Sequence, residues 1–198
     1  MTRLLLIRHG ETDWNRARRV QGVTDIPLND TGRAQARDAA ATVAKMLDGA
    51  PALPVSSDLQ RALETASIIA DCLALPAPWS TPLLRERSYG DAEGLVFEEF
   101  HARFGAFGEA EPTGAEHRVD VLQRALRGLR VADEERRRRG LDDESALVVV
   151  AHGGLIREVL SHASGGRVPE PGRRIPNASV HELLLTADEL ILRSHVTV

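Results

Sequence analysis

The sequence predicts an α/β fold: three layers, α/β/α, around a mainly parallel central sheet. Three observations carry this. Residues 3–7 (Arg-Leu-Leu-Leu-Ile) and 146–151 (Ala-Leu-Val-Val-Val-Ala) are short continuous apolar runs, the pattern of strands buried on both faces of a sheet. Between them, stretches with helical spacing alternate with shorter apolar ones, the strand–helix order of a parallel sheet. Each long run also stops at a histidine, His9 or His152.

The first run leads into a polar loop rich in Gly, Asn and Asp. Thr31 to about Leu47 then places Ala36, Ala39, Ala40, Val43, Ala44 and Leu47 at helical spacing, and Gly49 and Pro51 end that helix. Leu53–Val55 reads as the next strand. Ser57 stands where it can cap a helix over Asp58–Leu75, with Gln60 completing a capping-box pattern. Helical spacing returns over roughly 116–138 and over Gly154–Ala163, the latter closed by Gly165-Gly166. Ser179–Leu185 and Leu190–His195 read as a terminal hairpin around Thr186–Glu189. Its exposed edge is a candidate surface for pairing two copies into a homodimer.

At 198 residues and 42% hydrophobic content the chain can build one sizeable core and only marginally two, so one domain over 1–198 is expected. Its segment at about 90–115 reads as a flap or cap, because Val96 to Gly114 mixes Phe97, Phe100, Phe104 and Phe107 with Gly105, Gly108 and Pro112. No apolar run approaches the roughly 20 residues of a membrane span, and no signal peptide is read. Cys72 is the single cysteine and lies on a predicted helix, which excludes an intramolecular disulfide and fits a reducing, cytoplasmic setting. A net charge of −4 argues against a general nucleic-acid binder. The run Arg136–Arg139 reads as a solvated helix end, in preference to a phosphate-binding patch.

Ligands of parallel α/β sheets collect outside the carboxyl ends of the strands. Arg8 and His9 follow the first strand, Ser56 to Arg61 the second, and His152-Gly153-Gly154 follow the strand at 147–150. Guanidinium groups hold phosphate oxygens through charge-assisted, fork-like hydrogen bonds. A neutral imidazole beside them is a nucleophile, and neighbouring cations favour the neutral form. The helix N-termini after Ser57 and after His152 are expected to aim N–H donors at the same anion. Glu86, within Leu84-Arg85-Glu86-Arg87-Ser88-Tyr89-Gly90, is the candidate general acid for the leaving alcohol.

Leu6-Ile7-Arg8-His9-Gly10-Glu11-Thr12 resembles the signature of the histidine phosphatase, or phosphoglycerate mutase-like, superfamily. The resemblance runs on through Trp14-Asn15, Gln21-Gly22, Asp25-Ile26-Pro27-Leu28, Thr31-Gly32, Gln35-Ala36, Ser56-Ser57-Asp58-Leu59, Arg61-Ala62, Thr65-Ala66, Leu84-Arg85-Glu86 and Val150-Ala151-His152-Gly153-Gly154. It covers most of the chain up to the last hairpin. It implies that His9 becomes phosphohistidine, that Arg8, Arg61, His152 and Asn15 hold the phosphoryl oxygens, and that Gln21 and Gly22 line the substrate mouth. Gly153 falls within the same binding motif. Glu86 matches the acid that protonates the leaving group and then activates water. The implied enzyme is a metal-independent phosphatase of small phosphate esters, without a cofactor.

Blander readings exist for each residue. His9 and His152 alone would pass as structural residues at strand ends, and Arg61 as a partner of Glu64. Glu93, Glu98 and Glu99 are rival carboxylates. His101, His117, His162, His181 and His195 show no metal-ligand spacing and read as surface or packing residues. Trp14 and Trp79 are either stacking platforms or partly buried. The alternative activity is that of a cofactor-dependent phosphoglycerate mutase, which Arg87-Ser88-Tyr89-Gly90 resembles. Mutases carry a longer insertion with extra basic residues before the second catalytic histidine. Here Arg103 and Arg118 are the main early basic candidates, and a short, phenylalanine-rich cover points to broad or hydrophobic substrates.

Overall fold

A computed structural model describes residues 1–105, 110–170 and 172–195. Strand β1 (Thr2–Arg8) lies at the centre of one six-stranded mixed sheet. It runs parallel to β4 (Ala146–Ala151), β4 runs parallel to β2 (Ala52–Ser57), and β2 runs parallel to the short edge strand β3 (Trp79–Thr81). On its other side β1 pairs antiparallel with β5 (Val180–Leu185), and β5 with β6 (Leu190–Ser194). The expected terminal hairpin is thus β5–β6, and it adds the antiparallel edge to a parallel core.

The helices are α1 (Asp13–Arg16), α2 (Asp30–Leu47), α3 (Gln60–Cys72), α4 (Phe97–Phe104), α5 (Arg118–Arg138) and α6 (Gly153–Ser164). Successive strand side chains point to opposite faces, so an all-apolar strand serves two cores. Leu5, Ile7, Val148 and Val150 pack with Ala39, Val43 and Ile69 of α2 and α3. Leu4, Leu6, Leu147 and Val149 pack with Val121, Leu129, Leu155 and Val159 of α5 and α6. The two cores make the three layers, and both faces of β1 and β4 are sealed.

Register then fixes the site. Ile7 lies opposite Val150 and Arg8 opposite Ala151, and the His9 N–H donates to the Ala151 carbonyl at 2.9 Å. The carboxyl ends of β1 and β4 therefore stop side by side.

Several local expectations need correction. Helix α3 begins at Gln60, not Asp58, and Ser57 and Gln60 form no capping box. The Ser57 hydroxyl accepts only from the Leu59 N–H at 3.3 Å, and the Gln60 N–H is capped from far away by Asp25 Oδ1 at 2.9 Å. The arginine run is not uniformly solvated. Arg136 is wholly buried, donating to Asp133, Ser145, Thr2 and the carbonyls of Leu141 and Asp142, while Arg137–Arg139 lie further out and pair with Asp133 and Glu135. The expected flap contains α4, and Phe100 packs with Val20 and Ala92 in a small core of its own, flanked by Phe97 and Phe104. Phe107 and Gly108 fall outside the described residues. No helix among the described residues is long and apolar enough to cross a membrane.

Candidate active site

Eight of the nine residues singled out above line one cavity of about 870 Å³ at the carboxyl end of the parallel strands: Arg8, His9, Asn15, Gln21, Gly22, Arg61, Glu86 and Gly153. The ninth, His152, is wholly buried behind them and meets His9 ring to ring, centroids 5.2 Å apart and tilted by 58°. β1 delivers Arg8 and His9, α3 delivers Arg61 from its first turn, and His152 is the N-cap of α6.

His9 Nδ1 lies 2.7 Å from the Gly10 carbonyl, which can only accept. The proton therefore sits on Nδ1, and Nε2 keeps its lone pair. Burial, and then the charges of Arg61 and Arg8, hold the His9 pKa well below its ordinary value. His152 is lowered likewise by burial, and then by Arg61, His9 and Arg8. Both imidazoles are neutral at neutral pH. Burial also lowers the Arg8 guanidinium, to about 10, which leaves it charged.

Several buried polar atoms of the site have no partner among the described residues. Among the described residues, five buried side-chain atoms have no hydrogen-bond partner, and four belong here: Arg8 Nε, Arg61 Nε and both ring nitrogens of His152. Buried donors without acceptors are costly. An oxyanion between them would accept from Arg8 Nε, Arg61 Nε and the protonated ring nitrogen of His152.

Arg61 is aimed by a loop that is itself pinned. Its Nη1 donates to Thr24 O at 2.8 Å and its Nη2 to Gly22 O at 2.7 Å, while Glu64 pairs with Arg33 instead. Glu93 holds that loop, its carboxylate accepting from Val23 N, Thr24 N, Thr24 Oγ1 and Tyr89 N at 3.0, 3.0, 2.5 and 3.1 Å. Gly22 has φ +57°, and a Cβ there would stand 1.9 Å from Glu93 Oε1, so only glycine fits.

Glu86 occupies the N-terminus of α6. Oε1 accepts from Arg87 N at 2.8 Å and Leu155 N at 3.0 Å, and Oε2 from Gly154 N at 2.9 Å. Each carboxylate oxygen has two lone pairs, so Oε1 is saturated and Oε2 keeps one for a proton. A Cβ on Gly154 would stand 2.6 Å from Glu86 Oε1. The expectation that the α3 and α6 N-termini aim their donors at the substrate is thus corrected: the donors seen at both ends go to protein acceptors, Asp25 and Ser57 at α3 and Glu86 at α6. Of the rival carboxylates, Glu98 pairs with Arg18 and Glu99 is exposed.

Other residues of the site were not legible beforehand. Asn177, from the loop between α6 and β5, donates to the His9 and Gly10 carbonyls and to Asn15 Oδ1, at 3.0, 3.2 and 3.2 Å. Tyr89, Arg157, Arg173 and Arg174 also line the cavity, as does His101, which was read as a surface or packing residue. Among those histidines His181 is buried, with Ser179 Oγ 3.0 Å from its Nε2. Arg118 reaches the cavity, whereas Arg103, Trp14 and Trp79 are absent from its lining. Nor is the lining the apolar cover expected: of the flap phenylalanines described, only Phe97 reaches it. No three His, Cys, Asp or Glu side chains among the described residues converge as metal ligands do.

A parallel-sheet edge carrying two neutral histidines, two buried arginines and a carboxyl group defines a phosphoryl-handling α/β enzyme. The profile of the histidine phosphatase superfamily (branch 1) matches residues 4–197, and the chain belongs to that superfamily. It is 36% identical over 183 residues to an uncharacterized phosphatase, PhoE, of Bacillus subtilis, covering 92% of this chain and 88% of that one. It is 31% identical over 204 residues to the metal-independent phosphoserine phosphatase of Arabidopsis thaliana, covering 98% and 81%. Among solved structures, a mycobacterial glucosyl-3-phosphoglycerate phosphatase in complex with VO3 superposes with a TM-score of 0.81 at 32% identity, covering 98% of this chain and 97% of that one.

Proposed function

We propose that the chain hydrolyses small phosphate monoesters through a phosphohistidine at His9, with no metal. The observation that carries this is the set of four unpartnered buried nitrogens on Arg8, Arg61 and His152, gathered around a neutral His9. In the first step His9 Nε2 attacks phosphorus, the bond from phosphorus to the alcohol oxygen breaks, and Glu86 Oε2 gives its proton to that oxygen. In the second, Glu86 takes a proton from water, the water oxygen attacks phosphorus, the P–N bond breaks, and phosphate leaves. Arg8, Arg61 and His152 bind the non-bridging oxygens, and the charge a metal would supply comes from the guanidinium groups.

Asn15, Gln21, Gly22 and Gly153 complete the floor of the pocket. Asn15 is fixed both by Asn177 and by its capping box with Thr12. In this reading residues 1–198 are one catalytic domain, the 90–115 segment is its cap, and the single exposed cysteine fits the cytoplasm. The relatives described as a metal-independent phosphoserine phosphatase and a glucosyl-3-phosphoglycerate phosphatase support hydrolysis over mutase action. So does the state of Arg87, whose guanidinium is taken by Glu111 and the Glu116 carbonyl.

The test is release of phosphate from p-nitrophenyl phosphate in the presence of a chelator, wild type beside His9→Ala. Chelator-resistant release that disappears in the variant is the expected result, with 32P retained on acid-labile, base-stable protein during turnover. Interconversion of 3- and 2-phosphoglycerate on addition of bisphosphoglycerate, without net release, would establish the mutase instead.

A further inference from the structure

We infer that Arg124, which stands outside the cavity, is a positioning residue for the proton donor: together with Glu116 it clamps the backbone that carries Glu86, so that protonation of the leaving alcohol depends on it. This rests on the phosphatase reading and adds to it the side chain that sets where Glu86 stands.

Glu86 belongs to the irregular segment 85–88, which follows the single helical turn Pro82–Leu84 and has no strand ladder of its own to hold it. Its support comes from α5. Leu84 is wholly buried and shares one core with Val121, Ala125 and Leu129 of that helix. Gly128 lies on the same face, and a Cβ there would stand 3.0 Å from Leu83 Cβ and 3.2 Å from Leu84 Cδ2, so the missing side chain lets the turn lie against the helix. Arg124 precedes Gly128 by four residues, one helical turn away on that face.

A guanidinium has five N–H donors in a planar fork, and all five of Arg124 are engaged. Nη1 donates to the Leu83 and Arg85 carbonyls at 3.0 and 2.6 Å, and Nη2 to the Glu86 carbonyl at 3.0 Å. The Glu116 carboxylate takes the remaining edge, Oε1 accepting from Nε at 2.6 Å and Oε2 from Nη2 at 2.8 Å. Glu116 in turn donates its N–H to the Ser88 carbonyl at 3.0 Å, and its own carbonyl accepts from Arg87 Nε at 2.8 Å. Each residue from Arg85 to Ser88 is thereby bonded to Arg124 or to Glu116. The two side chains are only 16% and 22% exposed, so water competes little for this bidentate pair. Burial works against the Glu116 carboxylate, yet its bonds from Arg124 hold its pKa below the ordinary value, and the pair is ionised at neutral pH.

The proton donor is thus held at two ends, its carboxylate by Gly154 and Leu155 of α6 and its backbone by Arg124 of α5. Arg124 has no donor left for a ligand, and Glu116 balances its charge. That charge acts on His152 more weakly than those of Arg61, His9 and Arg8. Its contribution is therefore geometric, and it falls on the step in which Glu86 gives up a proton.

The test is the single-turnover rate at which excess enzyme consumes glycerol 3-phosphate and p-nitrophenyl phosphate, wild type beside Arg124→Lys. Glycerol needs a proton as it leaves, whereas nitrophenolate does not. Lysine keeps the charge but has three donors on one nitrogen, which cannot span three carbonyls and a carboxylate. Arg124→Lys is expected to slow glycerol 3-phosphate by about 10- to 100-fold, the effect of a displacement near 1 Å, and p-nitrophenyl phosphate by less than about threefold. Glu116→Gln, which keeps one acceptor oxygen, should show the same selective loss at smaller size, and it reports on the clamp if Arg124→Lys does not fold. Equal losses on the two esters overturn the proposal, since they mark general structural support. So does an Arg124→Lys rate on glycerol 3-phosphate within about twofold of wild type, which would mean that charge alone suffices. Failure of the underlying reading shows separately, as no turnover of p-nitrophenyl phosphate by wild type or as turnover that survives His9→Ala.

Discussion

Replacing Glu93 by alanine withdraws the acceptor from four donors at once. They are three backbone N–H groups and the Thr24 hydroxyl, and the Glu93 charge also acts on Arg61. Each such bond contributes about 0.5–1.5 kcal/mol net, and a charged acceptor more. The Val23 contact is exposed, so water replaces part of the loss, and a stability cost of about 1–2 kcal/mol is expected. For a domain of this length that is a drop in Tm of roughly 2–8 °C.

The larger effect is on chemistry. The released loop carries the Gly22 and Thr24 carbonyls that orient both Nη atoms of Arg61, and a displacement near 1 Å at a phosphoryl contact costs on the order of a hundredfold in rate. A fall in kcat/KM of about 10- to 100-fold is therefore expected at a temperature where the variant is folded. Affinity for orthovanadate, which imitates the five-coordinate transition state, should fall further than affinity for phosphate. Glu93→Gln should fall between, keeping one acceptor oxygen but placing an NH2 group among donors. Activity within twofold of wild type, or equal losses for vanadate and phosphate, would refute the idea that Glu93 aims Arg61.

Glu86→Gln should slow the first turnover, in which His9 is phosphorylated, by about 10²–10⁴-fold with alkyl phosphates but far less with p-nitrophenyl phosphate, because nitrophenolate leaves without a proton; equal losses in that first turnover, which excludes the shared water step, would remove Glu86 from the acid role. His9, His152 and His181 have pKa values lowered by burial, the last to about 4, so below about 6.5 the unfolded chain binds protons that the native state does not. Stability is thus fully present above about 6.5 and should fall with decreasing pH by up to about 1.4 kcal/mol per unit per histidine, measurable by urea unfolding between pH 7.5 and 5. A loss no smaller in His181→Gln than in wild type would exclude that residue. Arg136→Ala leaves Asp133 without its buried partner and should cost about 3–5 kcal/mol, with kcat of the folded fraction unchanged, since Thr2 and Ser145 lie at the end of the sheet away from His9. A kcat change without a stability change would contradict that placement.

The central strands and the gathering of His9 and His152 at one sheet edge were legible because both are local. Residues 146–151 are apolar throughout, and His9 and His152 follow their strands directly in sequence, so only the side-by-side register of β1 and β4 had to be added. What escaped depends on distant partners. The start of α3 is decided by Asp25, 35 positions before Gln60, which no local capping pattern reveals. Strand β3 is three residues long and carries no period of its own. Asn177 and Arg174 enter the site from a loop that reads as a connector, and the resemblance to mutases directs attention to basic residues between Glu86 and His152, whereas three of the rim arginines follow His152. The flap phenylalanines read as a lid lining, yet Phe100 turns into a core with Val20 and Ala92. Arg136 looked like its three neighbours because sequence alone does not show that Thr2, Ser145 and Asp142 surround it.

The anchoring of Glu86 on the first turn of α6 has a mechanical consequence. His152 opens that helix, Gly154 and Leu155 grip the Glu86 carboxylate, and Arg157 projects from the next turn, so all three side chains are carried by a single rod. His9 follows β1 directly, and the bond from His9 N to Ala151 O joins the two carriers at the centre of the sheet. The span between His9 and Glu86 is thereby set across the paired ends of β1 and β4.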